Sequence, residues 1–212
     1  MMKKALVALA ISSMALSAQA GDVMLQEGFD NVFSLPGKGW VFTNASTTGG
    51  ATDGWTQGTT AAFSAQQGDS TSFAGANYSS AAAGGTLNAL LITPEFTTTW
   101  GNTISFWLRG AADDAYSDQI AFGISQGGTA LSDFTFQSAF VVPQGEWTEY
   151  IYNVAFREGT ARFAFQYTGA ADMSNYVGLD SLVISDVPEP STMAILLAGA
   201  MGLAMSRRRK RS

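Results

Sequence analysis

The groups that could do chemistry in this chain are mainly carboxylates, because the sequence contains neither histidine nor cysteine. Zinc and haem sites of the usual ligand sets, a Ser-His-Asp triad and a Cys-His pair are therefore excluded. Carboxylate oxygens suit a hard cation such as Ca²⁺ instead. Two groups of acidic residues are of interest: Glu27 and Asp30 together with Asp180, and three aspartates in the segment 113–118.

Glu27 and Asp180 are the first candidate ligands, for a structural Ca²⁺. In a sandwich whose first and last strands are neighbours, Glu27 or Asp30 comes close to Asp180. Two carboxylates at that place repel each other, and a Ca²⁺ bound between them would relieve the repulsion and tie the ends of the domain together. The alternative is that the Asp180 carboxylate caps or bonds a local turn.

The second acidic group is formed by Asp113, Asp114 and Asp118, between two predicted strands. It lacks the glycine and the terminal glutamate of an EF-hand loop. A calcium loop and a solvated hairpin loop are both compatible with this segment.

Trp107 and Trp55 are candidates for stacking on a sugar ring. Trp107 lies opposite the apolar face of its predicted strand, beside Arg109, and Trp55 lies in or near a loop. An indole can pack against the flat face of a sugar while a carboxylate or an arginine binds the hydroxyls. The alternative is core or cross-strand packing, the usual role of aromatic side chains.

Catalysis has the weakest support in the sequence. Two carboxylates at a suitable separation hydrolyse glycosides in many enzymes. Among the acidic residues no pair is marked by its spacing, and the glycines separate strands rather than preceding a helix. We therefore predict no catalytic residues and no enzyme activity.

Strands are predicted to position these side chains, because apolar residues alternate with a period of two. Ile104, Phe106 and Leu108 face one way, whereas Trp107 and Arg109 face the other. The same alternation returns in 120–124, 134–142 and 163–167, and the segments 87–93 and 177–185 are apolar runs. Such alternation is typical of antiparallel sheets with one face on a core, and many short strands separated by turns predict a β-sandwich.

The segment 43–85 is rich in small and polar residues, which is typical of a disordered linker. An aromatic residue nevertheless recurs through it, at Trp55, Phe63 and Phe73. We therefore predict short strands joined by loops.

The N-terminus has the pattern of a secretory signal peptide. Lys3 and Lys4 precede an apolar segment, and Ala18 and Ala20 form an A-x-A cleavage site for signal peptidase. Residues 1–20 are therefore excluded from the fold, and a retained N-terminal anchor is the alternative.

The C-terminus combines three features within 187–212. Val187, Pro188, Glu189 and Pro190 end the preceding strand, because neither proline has a backbone N–H. Residues 193–205 are apolar or glycine and predict a helix. A cationic run then follows that would stop the helix in the cytoplasmic membrane, namely Arg207, Arg208, Arg209, Lys210 and Arg211. A buried C-terminal helix is the alternative, since the apolar run is short for a span.

This C-terminal segment resembles the PEP-CTERM sorting signal of Gram-negative bacteria. The resemblance implies recognition by exosortase, a membrane protease-transpeptidase, with cleavage near the Pro-Glu-Pro element. It implies transient anchoring in the inner membrane and delivery to the cell surface or the extracellular matrix, as in a biofilm. Such a signal specifies where the protein is delivered and does not specify what the exported domain does.

The predicted domain, residues 21–186, is strongly acidic. It holds sixteen of the seventeen acidic residues and four of the eleven cationic ones, for a net charge of −12. Binding to nucleic acid needs Lys or Arg to neutralise phosphates, so a nucleic-acid partner is not expected.

The same domain resembles the choice-of-anchor J domain, which is related to cleaved-adhesin modules. The residues that carry the resemblance include Gly39-Trp40, Gly54-Trp55 and the segments 27–30, 90–94, 104–107 and 178–184. The resemblance implies a lectin-like jelly-roll antiparallel β-sandwich, with relatives that act in adhesion or carbohydrate binding and in part carry calcium. The segment 43–85 departs from that pattern because it lacks an acidic run for a calcium loop.

The sequence thus predicts an all-β jelly-roll ectodomain flanked by an N-terminal signal helix and a C-terminal hydrophobic helix. The predicted function is adhesive or structural, at the cell surface or in the matrix. The alternatives are a carbohydrate-binding module for an extracellular polysaccharide and, as a third reading, a glycoside-active enzyme.

Overall fold

Two antiparallel β-sheets pack face to face in the computed structural model, which describes residues 21–98, 101–155 and 159–187. The described strands are β1 Val23–Glu27, β2 Val41–Asn44, β3 Thr56–Gln57, β4 Ala74–Asn77, β5 Thr86–Ile92, β6 Phe96–Thr98, β7 Asn102–Gly110, β8 Gln119–Ser125, β9 Thr135–Phe136, β10 Phe140–Val141, β11 Thr148–Val154, β12 Gly159–Ala170 and β13 Tyr176–Asp186. The predicted all-β sandwich is confirmed.

Each sheet mixes strands from distant parts of the chain. Sheet A has the order β11-β7-β13-β4-β3, and β1 also pairs with β13. Sheet B has the order β10-β8-β12-β5-β2, with β6 on β12 and β9 on β8. The connections between the described strands include four 3₁₀ turns, Val32–Lys38, Tyr78–Ser80, Leu131–Asp133 and Ala171–Met173.

The two predicted terminal segments lie outside the described residues. These are the signal peptide 1–20, with Ala18 and Ala20, and the segment 188–212 with its proline pair, apolar run and cationic stop. Within the described ranges, no helix has the length and apolar character needed to span a membrane.

The alternation predicted for β7 is confirmed. Ile104, Phe106 and Leu108 are fully buried between the sheets, whereas Trp107 and Arg109 on the opposite face are half-buried. The Phe106 ring meets Phe165 of sheet B edge to face, with ring centroids 4.8 Å apart. Aromatic contacts of this geometry add to the stabilisation that comes from removing apolar surface from water.

The apolar run 87–93 is buried on both faces. Leu87, Ala89 and Leu91 of β5 belong to the core between the sheets. Leu90 and Ile92 point to the outer face of sheet B, where Phe134 covers them. Both faces of this central part of sheet B are therefore shielded from water.

The prediction that 134–142 is one alternating strand was wrong. The segment forms β9 and β10, with Phe136 opposite Gly123 and Phe140 opposite Ile120. Three residues of this segment therefore face two residues of β8. One extra residue in a strand reverses which face the following side chains occupy, so Phe134 and Phe136 lie on the outer face of sheet B.

The segment 43–85 is folded as short strands and loops, as predicted. It contributes β3 and β4, and Trp55, Phe63 and Phe73 are all buried. Burial of three large rings offsets the entropy lost by ordering a chain of mostly small residues.

We predict that Phe106→Ala lowers the free energy of unfolding by about 3–5 kcal/mol, because it leaves a cavity between the sheets. Phe33→Ala serves as the control, since Phe33 is 78% exposed and its loss should change stability by less than about 0.5 kcal/mol. Urea denaturation of both variants measures the difference. Equal midpoints for the two variants would contradict this account of the core.

Candidate functional site: the outer face of sheet A

The last strand, β13, organises this face because it changes partners along its length. Its first part pairs with β4, and its second part pairs with β1, where Glu27 lies opposite Leu182. The prediction that the first and last strands are neighbours is thereby confirmed. Its other edge pairs with β7 throughout, with a bulge between Asp180 and Val183.

Asp180 lies at this bulge, fully buried, and its carboxylate is surrounded by donors. Oδ2 accepts from the backbone N–H of Gln66 at 2.8 Å and of Gln67 at 3.1 Å. Oδ1 accepts from the backbone N–H of Ser181 at 2.6 Å, while the Ser181 hydroxyl donates to the Gln66 side-chain oxygen at 2.7 Å. Burial raises the pKa of Asp180 to about 6, although the amides of Gln67, Ser181 and Gln66 oppose part of that rise.

These hydrogen bonds attach a covering segment, residues 58–73, to the outer face of sheet A. Phe63 and Phe73 of this segment stack at 5.1 Å and pack against Tyr176 of β13 and Trp147. The Trp147 indole N–H also donates to the Ser64 carbonyl at 2.9 Å. The covering segment is thus held by the apolar cluster at Phe63 and Phe73 and, between these two residues, by the hydrogen bonds to Asp180.

Gly178 of β13 is required where the covering segment approaches the sheet. A Cβ atom at this position would come within 2.7 Å of the Phe63 ring and 2.9 Å of the Trp147 ring. Any larger residue would push both rings away from the strand.

Glu27 is held by its own partners beside the bulge. Its Oε1 accepts from the Phe29 backbone N–H at 3.0 Å, and its Oε2 pairs with the Lys38 ammonium at 3.1 Å. Glu27, Asp30, Gln67 and Ser181 contribute to the lining of an acidic cavity of about 320 Å³. The cavity therefore brings together Glu27 and Asp30 of the predicted acidic group, whereas Asp180 is not among its lining residues.

Backbone strain accompanies this cavity. Phe29 and Ser181 have positive φ angles of 54° and 50°, and they are the non-glycine residues with positive φ in the described part of the chain. Such conformations cost about 1–3 kcal/mol each and persist where surrounding contacts fix them. Here the carboxylates of Glu27 and Asp180 each accept a hydrogen bond from the strained residue's own N–H.

The described geometry of Asp180 agrees with the turn-bonding alternative at Ser181, whereas its other two backbone donors, Gln66 and Gln67, come from a distant segment. Three backbone N–H groups donate to its carboxylate, two to Oδ2 and one to Oδ1. In the described ranges, no group of three or more acidic side chains is close enough to hold a metal ion. A Ca²⁺ shared by Glu27 and Asp180 stays a prediction, and binding it would require rearrangement of these hydrogen bonds.

The acidic segment 113–118 divides into exposed and buried parts. Asp113 and Asp114 are exposed, as in a solvated loop, whereas Asp118 is buried. The Asp118 carboxylate accepts from the Tyr167 hydroxyl at 2.5 Å and from the backbone N–H groups of Asn175 and Tyr176. Burial raises the pKa of Asp118 despite these hydrogen bonds. Sequence reasoning missed this structural role, because all three donors to Asp118 lie far from it in the sequence.

The two tryptophans proposed for sugar stacking lie in different environments. Trp55 is only 4% exposed, belongs to the core between the sheets and donates its indole N–H to the Ala89 carbonyl at 3.1 Å. Core packing, the alternative interpretation, therefore describes Trp55. Trp107 is half-buried on the outer face of sheet A, between Glu149 of β11 and Asp180 of β13.

Arg109 lies two residues beyond Trp107 on the same face. Its guanidinium carbon is 4.6 Å from the centroid of the Phe63 ring, a cation–π contact. Its Nε is buried and has no hydrogen-bond partner among the described residues. The two other described cations, Lys38 and Arg162, pair with Glu27 and Glu95.

Comparison with protein-family models identifies the PEP-CTERM protein-sorting motif at residues 186–210. The predicted sorting signal, which includes Val187, Pro188, Glu189 and Pro190, is thereby confirmed. A comparison with curated protein sequences gives no match.

Comparison with solved structures finds cleaved adhesin domains of Lys-gingipain from Porphyromonas gingivalis W83. The K1 domain is 21% identical with a TM-score of 0.59, and the match covers 77% of this chain and 98% of that domain. The K3 domain is 22% identical with a TM-score of 0.56, covering 78% of this chain and 99% of that domain. At these identities the similarity concerns the fold, and it confirms the predicted cleaved-adhesin likeness.

We predict that Asp180→Asn flattens the pH dependence of stability between about pH 4 and pH 6. The folded-state pKa of about 6 lies above the ordinary value of 3.8, so the folded protein keeps a proton that the unfolded chain releases. The Asp180 contribution is therefore fully present below pH 4 and is lost as the pH rises through 6, by up to roughly 3 kcal/mol.

Unfolding free energies from urea titrations across this pH range check the prediction. Asp22→Asn is the control, because Asp22 is exposed near the start of β1, and Asp118 contributes equally in all three proteins. Parallel curves for Asp180→Asn and the parent would show that the buried carboxyl does not titrate as described.

A chelator separates the two interpretations of Asp180. A shared Ca²⁺ predicts that EDTA lowers the Tm of the full chain and that Glu27→Gln abolishes this response. Hydrogen bonding alone predicts the same Tm with EDTA and with added Ca²⁺. Thermal melts under the two conditions therefore decide whether the calcium hypothesis survives.

Proposed function

We propose that this chain is an exported protein that exosortase sorts to the cell surface or the extracellular matrix, where its β-sandwich has an adhesive or structural, non-catalytic role. The observation that carries the proposal is the PEP-CTERM motif at residues 186–210, which begins at the last residue of β13. The order of parts fits this proposal, because the folded unit Gly21–Val187 ends where the sorting segment begins.

The export route follows from the predicted signals. Signal peptidase would cleave after Ala20, and the apolar run with its cationic stop, Arg207 to Arg211, would hold the chain in the cytoplasmic membrane. Exosortase would then act near Pro190 and release the folded domain from that anchor.

The properties of the domain support work outside the cell. A net charge of −12 keeps the domain soluble and repels anionic surfaces. Its stability rests on a core of packed aromatic and aliphatic side chains, without disulfides. The similarity in fold to cleaved adhesin domains is compatible with adhesion.

We predict that the mature protein ends near Pro190 only in cells that contain the sorting protease. Intact-mass measurement of the protein recovered outside the cytoplasmic membrane, in cells with and without exosortase, checks this. Glu189→Ala should leave the C-terminus intact in both strains, whereas Glu146→Ala, an exposed site in the domain, should be processed normally. If the parent protein keeps its full C-terminus in both strains, the apolar segment is a permanent anchor.

Carbohydrate binding is the second candidate function, and Trp107 with Arg109 favours it. Trp107 is half-buried on the outer face of sheet A, with the exposed Glu149 directly across on β11. Arg109 adds a guanidinium without a carboxylate partner within the described residues. This set could bind an extracellular polysaccharide through ring stacking and charge-assisted hydrogen bonds.

We predict that Trp107→Ala weakens binding to the exopolysaccharide of the producing cells by about tenfold, which corresponds to about 1.4 kcal/mol. Affinity electrophoresis in gels that contain the polysaccharide measures the change. Phe33→Ala is the control, because it removes an exposed ring from the turn Val32–Lys38. Equal retardation of both variants would exclude Trp107 from binding, and no retardation of the parent would favour the purely structural role.

A further inference from the structure

A second cavity lies at the end of sheet A where β4 and β7 end and β13 begins. It has a volume of about 480 Å³ and is lined by residues from four segments, 59–62, 77–79, 111–113 and 175–176. We call it the end cavity. Its volume lies within the range of small-ligand sites in proteins, and it is separate from the acidic cavity at Glu27 and from Trp107.

Asn175 is fixed at the rim of the end cavity by its backbone. Its N–H donates to the buried Asp118 carboxylate at 2.9 Å, and its carbonyl accepts from the Tyr78 N–H at 3.0 Å. Asp118 is itself held by the Tyr167 hydroxyl. The Asn175 side chain is therefore presented from a rigid position.

Tyr78 lies beside Asn175 at the rim, because its N–H donates to the Asn175 carbonyl. The Asn77 side chain caps the turn Tyr78–Ser80, with Oδ1 accepting from the Ser79 N–H at 2.8 Å. This cap holds Tyr78 at the start of the turn, where its side chain is 52% exposed. An exposed ring on a capped turn is a pre-formed stacking surface, which loses little entropy on binding.

Asp113 completes the rim from the end of β7. Its backbone N–H and carbonyl both bond to the Gln144 side chain, at 3.1 Å and 2.9 Å. One carboxylate oxygen accepts from the Ala115 N–H at 3.1 Å, which orients the group and leaves the second oxygen available within the described residues.

The Tyr176 ring forms part of the wall and is anchored beneath the cavity. It packs against Phe63 and lies over Gly75, where a Cβ atom would clash with the tyrosine hydroxyl. Burial raises the pKa of Tyr176 to about 12, so this ring stays neutral at physiological pH.

The exposed groups around the end cavity suit a sugar. Within the described residues, the side-chain amide of Asn175 and the Nδ2 group of Asn77 make no hydrogen bond. Together with the Asp113 carboxylate they offer planar donors and acceptors, which match vicinal hydroxyls, beside the apolar ring of Tyr78. None of the lining residues is cationic, so an anionic ligand would meet Asp113 without compensation.

We propose that the end cavity binds one neutral sugar residue of a polysaccharide, with its ring stacked on Tyr78 and its hydroxyls bonded to Asn175, Asn77 and Asp113. The assignment rests on the carbohydrate-binding candidate function but places the specificity in a different part of the domain. It also specifies a class of ligand, because neutral hexoses and pentoses fit the charge of the rim and uronic acids do not.

The test is a titration of the full chain with methyl glycosides of glucose, galactose, mannose and xylose, and with methyl glucuronide. A phosphocholine detergent keeps the chain in solution without competition from a glycoside headgroup. Ligand-observed NMR should detect binding of at least one neutral glycoside and weaker binding of the glucuronide. Tyr78→Ala and Asn175→Ala should each weaken neutral-glycoside binding at least tenfold.

Tyr116→Ala is the matched control, because Tyr116 is an exposed tyrosine of the neighbouring loop outside the cavity lining. It should bind as the parent does, and thermal melts should show that all three variants remain folded. The proposal is overturned if no neutral glycoside binds, if Tyr78→Ala binds as tightly as the parent, or if the glucuronide binds best.

Trp107→Ala separates this proposal from the candidate function on which it rests. If Trp107→Ala loses polysaccharide retention while Tyr78→Ala keeps both retention and glycoside binding, the sheet face binds and the end cavity does not. If Tyr78→Ala alone loses glycoside binding, the end cavity is the sugar site.

Discussion

The buried carboxylate of Asp180 is the interaction on which the outer face of sheet A depends. It lies at the bulge of β13, where the neighbour along one edge changes from β4 to β1. It accepts hydrogen bonds from the backbone N–H groups of Gln66, Gln67 and Ser181. A buried charge without such donors would cost several kcal/mol. The bulge, the covering segment and the strained Ser181 therefore form together, because each supplies a donor or a geometry that the others need.

The remainder of the stability comes from apolar burial on more than the inner faces. Phe106 and Phe165 join the sheets at the centre, while Phe134 covers the outer face of sheet B and Phe63 the outer face of sheet A. Layers of this kind let a domain without disulfides bury a large apolar surface for its size.

Sorting and binding make separate demands on this chain. The sorting motif at residues 186–210 needs only a chain that emerges from the folded unit. Binding needs fixed side chains, and the end cavity meets this need through hydrogen bonds that hold the backbone of its rim. In the end cavity, Asp118 and the Asn77 cap fix the backbone at the rim. Its Asn175 and Tyr78 side chains thus remain available for a ligand.

The sequence by itself determined the sandwich and which side chains of β7 face the core. These follow from local patterns, since a period of two is visible without any partner strand. The PEP-CTERM motif is likewise contiguous in the sequence. Only the tertiary structure decided that one extra residue turns Phe134 outward, that Trp55 is core, and that Asp118 and Asp180 receive backbone N–H groups from distant segments. Each of these depends on which residues meet across the sheets, and the order of residues along the chain does not contain that information.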